Sequence, residues 1–192
     1  MAQPKDSVVT AQRFAEGLTY SEYVESIQRN RAKFEYNFDE TRLTDDDVRA
    51  FRELASRPEG PARVLVLAED WCPDVFRGLP VMVRIAEAAG MELRVFPRDK
   101  NLEIMNEFLN QGRHQSIPVF VFYTREQRYL AHWTERPALV NEQMHLVNAI
   151  FQGKTAEEAL PEYERFQQGE VWANWRRETA REIRDLLASA CR

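Results

Sequence analysis

Short apolar runs and helical spacings alternate through the middle of the chain. Arg63-Val-Leu-Val-Leu-Ala68 is almost wholly apolar, the pattern of a strand buried on both faces. Val75 to Ala89 spaces its apolar positions as a helix does, and Gly90 supplies the turn that closes it. Met91 to Phe96 alternates and predicts a second strand. Leu102, Ile104, Met105, Phe108 and Leu109 predict a second helix, stopped by Gly112. Pro118 to Tyr123 predicts a third strand. The short polar turn Thr124 to Gln127 leads to a fourth, Arg128 to Trp133, paired antiparallel with the third. A helix from Pro137 to Phe151, closed by Gly153, completes the series.

The order is β-α-β-α-β-β-α. Strands joined by a crossover helix should be parallel, and the hairpin adds antiparallel ones. The fold class is therefore α/β, a mixed sheet with helices on both faces and extra helices at either end. Before the first strand, Thr19 with Glu22 and Thr44 with Asp47 fit capping boxes. Tyr23, Ile27 and Phe34 follow the first. Val48, Phe51, Leu54 and Ala55 share one face after the second. Pro58-Glu-Gly-Pro61 ends that stretch, since proline cannot continue a helical ladder. Beyond Gly153, Glu170 to Leu187 sets Val171, Trp172, Trp175, Ile183 and Leu186 along one side. Arg176, Arg177, Arg181 and Arg184 read as its solvated face. The organisation expected is a helical extension over 1–61 packed on a core domain of 62–152, and a helical extension over 153–192, all in one globular unit.

A chain of 192 residues supports one core with extensions. Its 44% apolar and 30% charged residues exclude a disordered class. A net charge of −5 gives no electrostatic reason to bind nucleic acid. The apolar runs fall far short of the ~20 residues of a membrane span. Met-Ala-Gln-Pro-Lys-Asp at the start lacks an apolar leader, and two cysteines make no disulfide framework, so a reducing cytoplasm is the expected address. Two cysteines and three histidines without ligand spacing predict no metal site. The oligomeric state is open.

The chemistry concentrates in Glu69-Asp70-Trp71-Cys72-Pro73-Asp74-Val75, between the first strand and the first core helix. A cysteine there meets unpaired N–H groups and the positive end of the helix dipole, which favour a thiolate. That dipole, worth at most ~2 kcal/mol, lowers a thiol pKa by no more than about 1.5 units. Glu69, Asp70 and Asp74 oppose it, so partial ionisation at neutral pH is expected. Pro73 suits the first helical position, where its missing N–H costs nothing. Asp70 reads as a solvated loop carboxylate, Asp74 as a helix-start acid, Pro80 as a kink, and His132 and His145 as half-buried residues.

Trp71-Cys72-Pro73 after a buried strand, with Ser116-Ile117-Pro118 opening a later one, resembles the thioredoxin superfamily. It is most similar to bacterial thioredoxin-like proteins whose motif reads Asp-Trp-Cys-Gly/Pro-Asp. The resemblance covers about half of the chain. It implies that Cys72 is the catalytic thiol, and that Trp71, Pro73, Ile117 and Pro118 bind substrate. A cis Ile117–Pro118 bond would turn the Ile117 backbone toward Cys72, where it could pair with an extended peptide. Val75 stands where dithiol members carry the resolving cysteine, which argues against intramolecular disulfide cycling. The function implied is monothiol exchange with a protein or small-molecule thiol or disulfide. No bound cofactor is implied, and glutathione or another low-molecular-weight thiol would be a co-substrate. The alternative is a non-catalytic peptide- or ligand-binding module, with Cys72 a packing residue. Asp74, Arg113 and His114 are auxiliary candidates, the last two equally a surface pair. Cys191 could resolve an adduct only if the terminal helix ended beside Cys72.

Overall fold

The computed structural model describes residues 7–191. The expectation about the leader, resting on residues 1–6, lies outside the described residues. In chain order come α1 (Ala11–Ala15), α2 (Tyr20–Ser26), α3 (Arg31–Glu40) and α4 (Asp45–Ser56), then β1 (Arg63–Ala68) and α5 (Pro73–Ala89). β2 (Glu92–Pro97), a 3-10 turn at Arg98–Lys100 and α6 (Leu102–Met105) follow. β3 (Val119–Tyr123) and β4 (Tyr129–Thr134) form the hairpin. The chain closes with α7 (Ala138–Glu142), α8 (Met144–Phe151), α9 (Ala156–Phe166) and α10 (Glu170–Ala190).

Among the described residues the strands form one sheet, ordered β2-β1-β3-β4. β1 runs parallel to β2, with Val66 opposite Val95, and antiparallel to β3, with Val66 opposite Phe120. β3 pairs antiparallel with β4. The central strands β1 and β3 are buried almost throughout, whereas the edge strand β4 alternates. The continuous runs of β1 and β3 have the burial they require, whereas β2, expected to alternate, does not: Val95 and Phe96 are buried in succession. Leu18 adds an antiparallel bridge to Val95, so the segment before α2 extends the β2 edge.

α5 packs on the sheet, and α3, α4 and α10 pack on α5. Its side chains are consequently buried from Asp74 through Val83. The terminal helices thus make a second layer over the first core helix, so this helix is not amphipathic in the usual sense. Both capping boxes, Thr19 with Glu22 and Thr44 with Asp47, form.

Four helical expectations need correction. The stretch from Thr19 to Phe34 is two helices, parted at Ile27–Asn30, where Asn30 takes a left-handed φ of 56°. The helix from Leu102 stops at Met105. Phe108 instead turns to stack on Tyr129 and meet His132 edge-on, and Glu107 accepts hydrogen bonds from the Ser7 hydroxyl and the Val8 amide. The helix from Pro137 is divided at Gln143, whose side chain is claimed by the Trp175 indole N–H at 2.7 Å. Arg176 leaves the solvated face: it is buried and donates to Asn37. His132 is half-buried, but His145 is exposed.

Candidate functional site

Cys72 is the N-cap of α5, with extended backbone (φ −87°, ψ 123°). Its carbonyl accepts from the Val75 and Phe76 amides at 3.1 and 3.2 Å, starting the helix, and Pro73 fills the first helical turn. The Ile117–Pro118 bond is cis. The Cys72 thiol donates to the Ile117 carbonyl, with Sγ and O 3.6 Å apart. Among the described residues the Ile117 amide donates to no partner. Trp71 stands beside the sulfur, 43% exposed, with the Arg98 guanidinium 5.6 Å from its ring centre. Arg98 also donates to the Gln115 carbonyl, bracing the loop before Ile117.

The sulfur is in poor contact with water: Cys72 is 8% exposed. Burial pushes its pKa up from the ordinary 9.0, and the Asp74 charge adds to the rise. The Val75 and Asp74 amides and the Arg136 guanidinium pull the other way but do not win. An S–H donating to a carbonyl is itself the geometry of a neutral thiol, since a thiolate would face a repelling oxygen. The partial ionisation expected from the helix end is therefore replaced by a protonated resting state. The dipole is outweighed by desolvation.

The acids flanking Cys72 are structural staples. Asp70 is a half-exposed loop carboxylate that also binds backbone. Its Oδ2 accepts from the Gln28 and Arg29 amides at 3.0 and 2.9 Å, and its carbonyl accepts from the Asn30 side chain. Glu69 accepts from the Asp99 amide at 2.7 Å, and burial pushes its pKa up. Asp74 is buried and lies between two arginines, Arg77 at 2.5 Å and Arg136 at 2.9 Å. Arg77 is 1% exposed, its guanidinium over the adjoining rings of Trp172 (5.1 Å) and Trp175 (5.5 Å) of α10. Arg136 also pairs with Glu135, which accepts from Asn110, and the Glu135 amide donates to the Pro118 carbonyl at 2.7 Å.

The structure gathers Trp71, Cys72, Pro73, Asp74, Ile117 and Pro118. Arg113 and His114 lie exposed on the loop before Ile117. Arg136, held by Asp74 and Glu135, is a nearby cation that opposes the rise in the thiol pKa. Sequence reading missed Arg136, Arg77, Tyr23 and Tyr163. Arg77 carried a signal: an arginine three residues after Asp74 on a helix whose neighbours are apolar must find partners inside. Arg136 comes from a distant turn and carried none. Burial pushes the phenols of Tyr23 (α2) and Tyr163 (α9) up, and a thiolate at Cys72 would add to the rise. The Tyr23 hydroxyl is buried without a hydrogen-bond partner.

Val75, one turn after Cys72, is fully buried and brings no second sulfur. Cys191 is not frayed: its amide bonds to Leu187 and its carbonyl accepts from Arg57. Arg57 precedes β1 and Cys72 follows it, so the thiols sit at opposite ends of a strand about 17 Å long. A cavity of about 610 Å³ lies between the α3–α4 loop and α10, lined by Arg177, Glu178, Arg181 and Arg184 among others, and is not part of the thiol site. Among the described residues no cluster of histidine, cysteine or carboxylate could hold a metal. None of their helices is long and apolar enough to cross a membrane.

The chain matches no curated protein. Among solved structures it is similar to a protein of unknown function from Pseudomonas aeruginosa. Identity there is 15% and the TM-score 0.68, over 95% of this chain and 99% of that one. It is also similar to an HIV epitope-scaffold, with 16% identity and a TM-score of 0.66, over 96% of this chain and 99% of that one. These likenesses show the fold. The family model described as thioredoxin matches residues 17–159, from the bridge at the β2 edge through β4 and into α9. With more than half of its length under that match, the chain belongs to the thioredoxin family.

Proposed function

We propose that this protein is a thioredoxin-fold binding module, in which the groove between Trp71 and Ile117-Pro118 takes an extended peptide and Cys72 is its neutral floor. One observation carries the reading: the buried Cys72 thiol spends its proton on the Ile117 carbonyl. A sulfur held that way is a poor nucleophile near neutral pH, because only the thiolate attacks a disulfide. The absence of a cysteine at Val75 removes the dithiol cycle as well. The exposed Trp71 ring and the unengaged Ile117 amide supply what strand addition uses, an apolar anchor and a main-chain donor. A reducing compartment suits a thiol meant to stay reduced.

A second reading has its own support. The Asp74 and Val75 amides face the sulfur and Arg136 lies near, so a thiolate, once formed, has donors waiting. That arrangement fits slow monothiol exchange resolved by glutathione or another small thiol. The two readings separate on one experiment. A display library of extended peptides is panned against the protein, Cys72→Ser and Trp71→Ala, while intact mass follows exposure to oxidised glutathione near neutral pH. The binding reading expects Cys72→Ser to retain the selected peptides, Trp71→Ala to lose them, and no adduct to form. An adduct on Cys72, with peptide capture lost in Cys72→Ser, would transfer the function to exchange.

A further inference from the structure

The two halves of the site, α5 and the Ile117-Pro118 turn, are joined by a closed circuit of contacts. Starting at the sulfur, the thiol donates to Ile117, and the next carbonyl, Pro118, accepts from the Glu135 amide. The Glu135 carboxylate pairs with Arg136, Arg136 with Asp74, and Asp74 lies two residues beyond Cys72 on the same helical turn. A branch runs from Asp74 through Arg77 into the ring pair Trp172 and Trp175. The carboxylate of Asp74 is thus the node at which the cysteine helix, the proline turn and the terminal helix meet.

The charge order in this circuit is specific. Arg136 is the cation near Cys72, yet its close ion pairs are with Asp74 and Glu135 and not with the sulfur. Asp74 is 7% exposed, so its two arginine partners are needed to hold its charge in the interior. Both of its oxygens are occupied, Oδ1 by Arg77 and Oδ2 by Arg136. The other titratable groups that feel the sulfur are the phenols Tyr23, from α2, and Tyr163, from α9, which burial keeps neutral. Glu69 and Asp70 are engaged by amides on the far side of the loop.

We propose that Asp74 is a positioning residue for Cys72: it holds Arg136 on its own carboxylate, so that this cation neutralises the acid more than the sulfur. The site thereby carries a built-in brake on thiol reactivity. Anything that draws Arg136 or Asp74 into another pairing, such as a carboxylate borne by the bound peptide, would alter the brake. The inference rests on Cys72 being the centre of the groove, but its test reads the sulfur alone and not peptide capture.

The test compares thiolate absorbance against pH for Cys191→Ser alone and with Asp74→Asn or Arg136→Gln added. Asp74→Asn should move the Cys72 midpoint down by about one unit, as removal of a nearby like charge does. Arg136→Gln should move it up. Rescue by Arg136→Lys, which restores the charge, should return the midpoint toward that of the parent. A role confined to folding would lower the melting temperature in these variants and leave the midpoints where they were, and that result overturns the proposal. Should Asp74→Asn fail to fold, Arg136→Gln decides alone, because Arg136 is partly exposed and an unmoved or lowered midpoint there contradicts the brake.

Discussion

Cys72 is flanked by two aspartates, Asp70 and Asp74, and the protein uses them in opposite ways. Asp70 reaches outward and binds backbone amides of Gln28 and Arg29, pinning the N-terminal helices to the loop before the cysteine. Asp74 reaches inward and binds arginine side chains that are themselves packed by α10. The first clamp is amide-based, open to water, and ties positions that lie 42 and 41 residues apart in the chain. The second is buried, ionic and backed by aromatic rings. A carboxylate satisfied by amides leaves the charge of its surroundings unchanged, whereas one satisfied by arginines also decides where those cations sit. The terminal helices are therefore unequal: the N-terminal set shapes the loop, and α10 reaches the electrostatics of the sulfur.

The strongest way to press this contrast is Trp172→Ala. The indole is 1% exposed, covers Arg77 and donates to Asn37 at 2.9 Å. Its truncation should cost about 3–5 kcal/mol, read by denaturant unfolding. It should also shift the Cys72 midpoint, since the Arg77 end of the circuit is loosened. An unmoved midpoint would break the link between α10 and the sulfur. Asp70→Ala should cost less, about 0.5–1.5 kcal/mol, because water can accept from the two freed amides. Hydrogen exchange should accelerate at Gln28 to Asn30 and stay slow in α10. Equal acceleration in both would show that the clamps are one unit and undo the contrast. Thr19→Ala removes the cap of α2 and should cost ~1 kcal/mol, confined to the N-terminal side.

The smallest expected effect is in pH. Because the fold favours the neutral Cys72 thiol, the folded chain keeps its proton to higher pH than the unfolded chain does. The stability contributed is complete below the ordinary thiol value of 9.0 and is lost as pH rises through the raised folded value. The melting temperature should therefore decline from about pH 9, ahead of the buried tyrosines, whose ordinary value is 10.0. Cys72→Ala should flatten that first part of the decline.

Much of this was legible along the chain. The continuous apolar runs of β1 and β3 marked the central strands, because a doubly buried strand's environment is written in its own residues, whereas the alternation expected of β2 is not found. Trp71-Cys72-Pro73 and Ile117-Pro118 located the sulfur and its facing turn. The breaks at Asn30, Met105 and Gln143 were not legible, since each depends on a partner far away: Asp70, the Ser7 segment and Trp175. The ionisation of Cys72 was read too high for the same reason: the opposing Asp74 charge was counted, but the burial was not. The helix end is local and visible, while the burial that outweighs it comes from packing by distant elements. Arg136 illustrates the limit most sharply, because nothing in its own neighbourhood of the chain marks it as a neighbour of Cys72.

The account stands most directly on the protonation state of one thiol. In Cys191→Ser protein, thiolate absorbance followed from neutral to alkaline pH should give a single midpoint for Cys72 above the ordinary 9.0, with essentially no thiolate at neutral pH. A midpoint below about 8, the range of thiols activated by a helix end or a neighbouring cation, would contradict it.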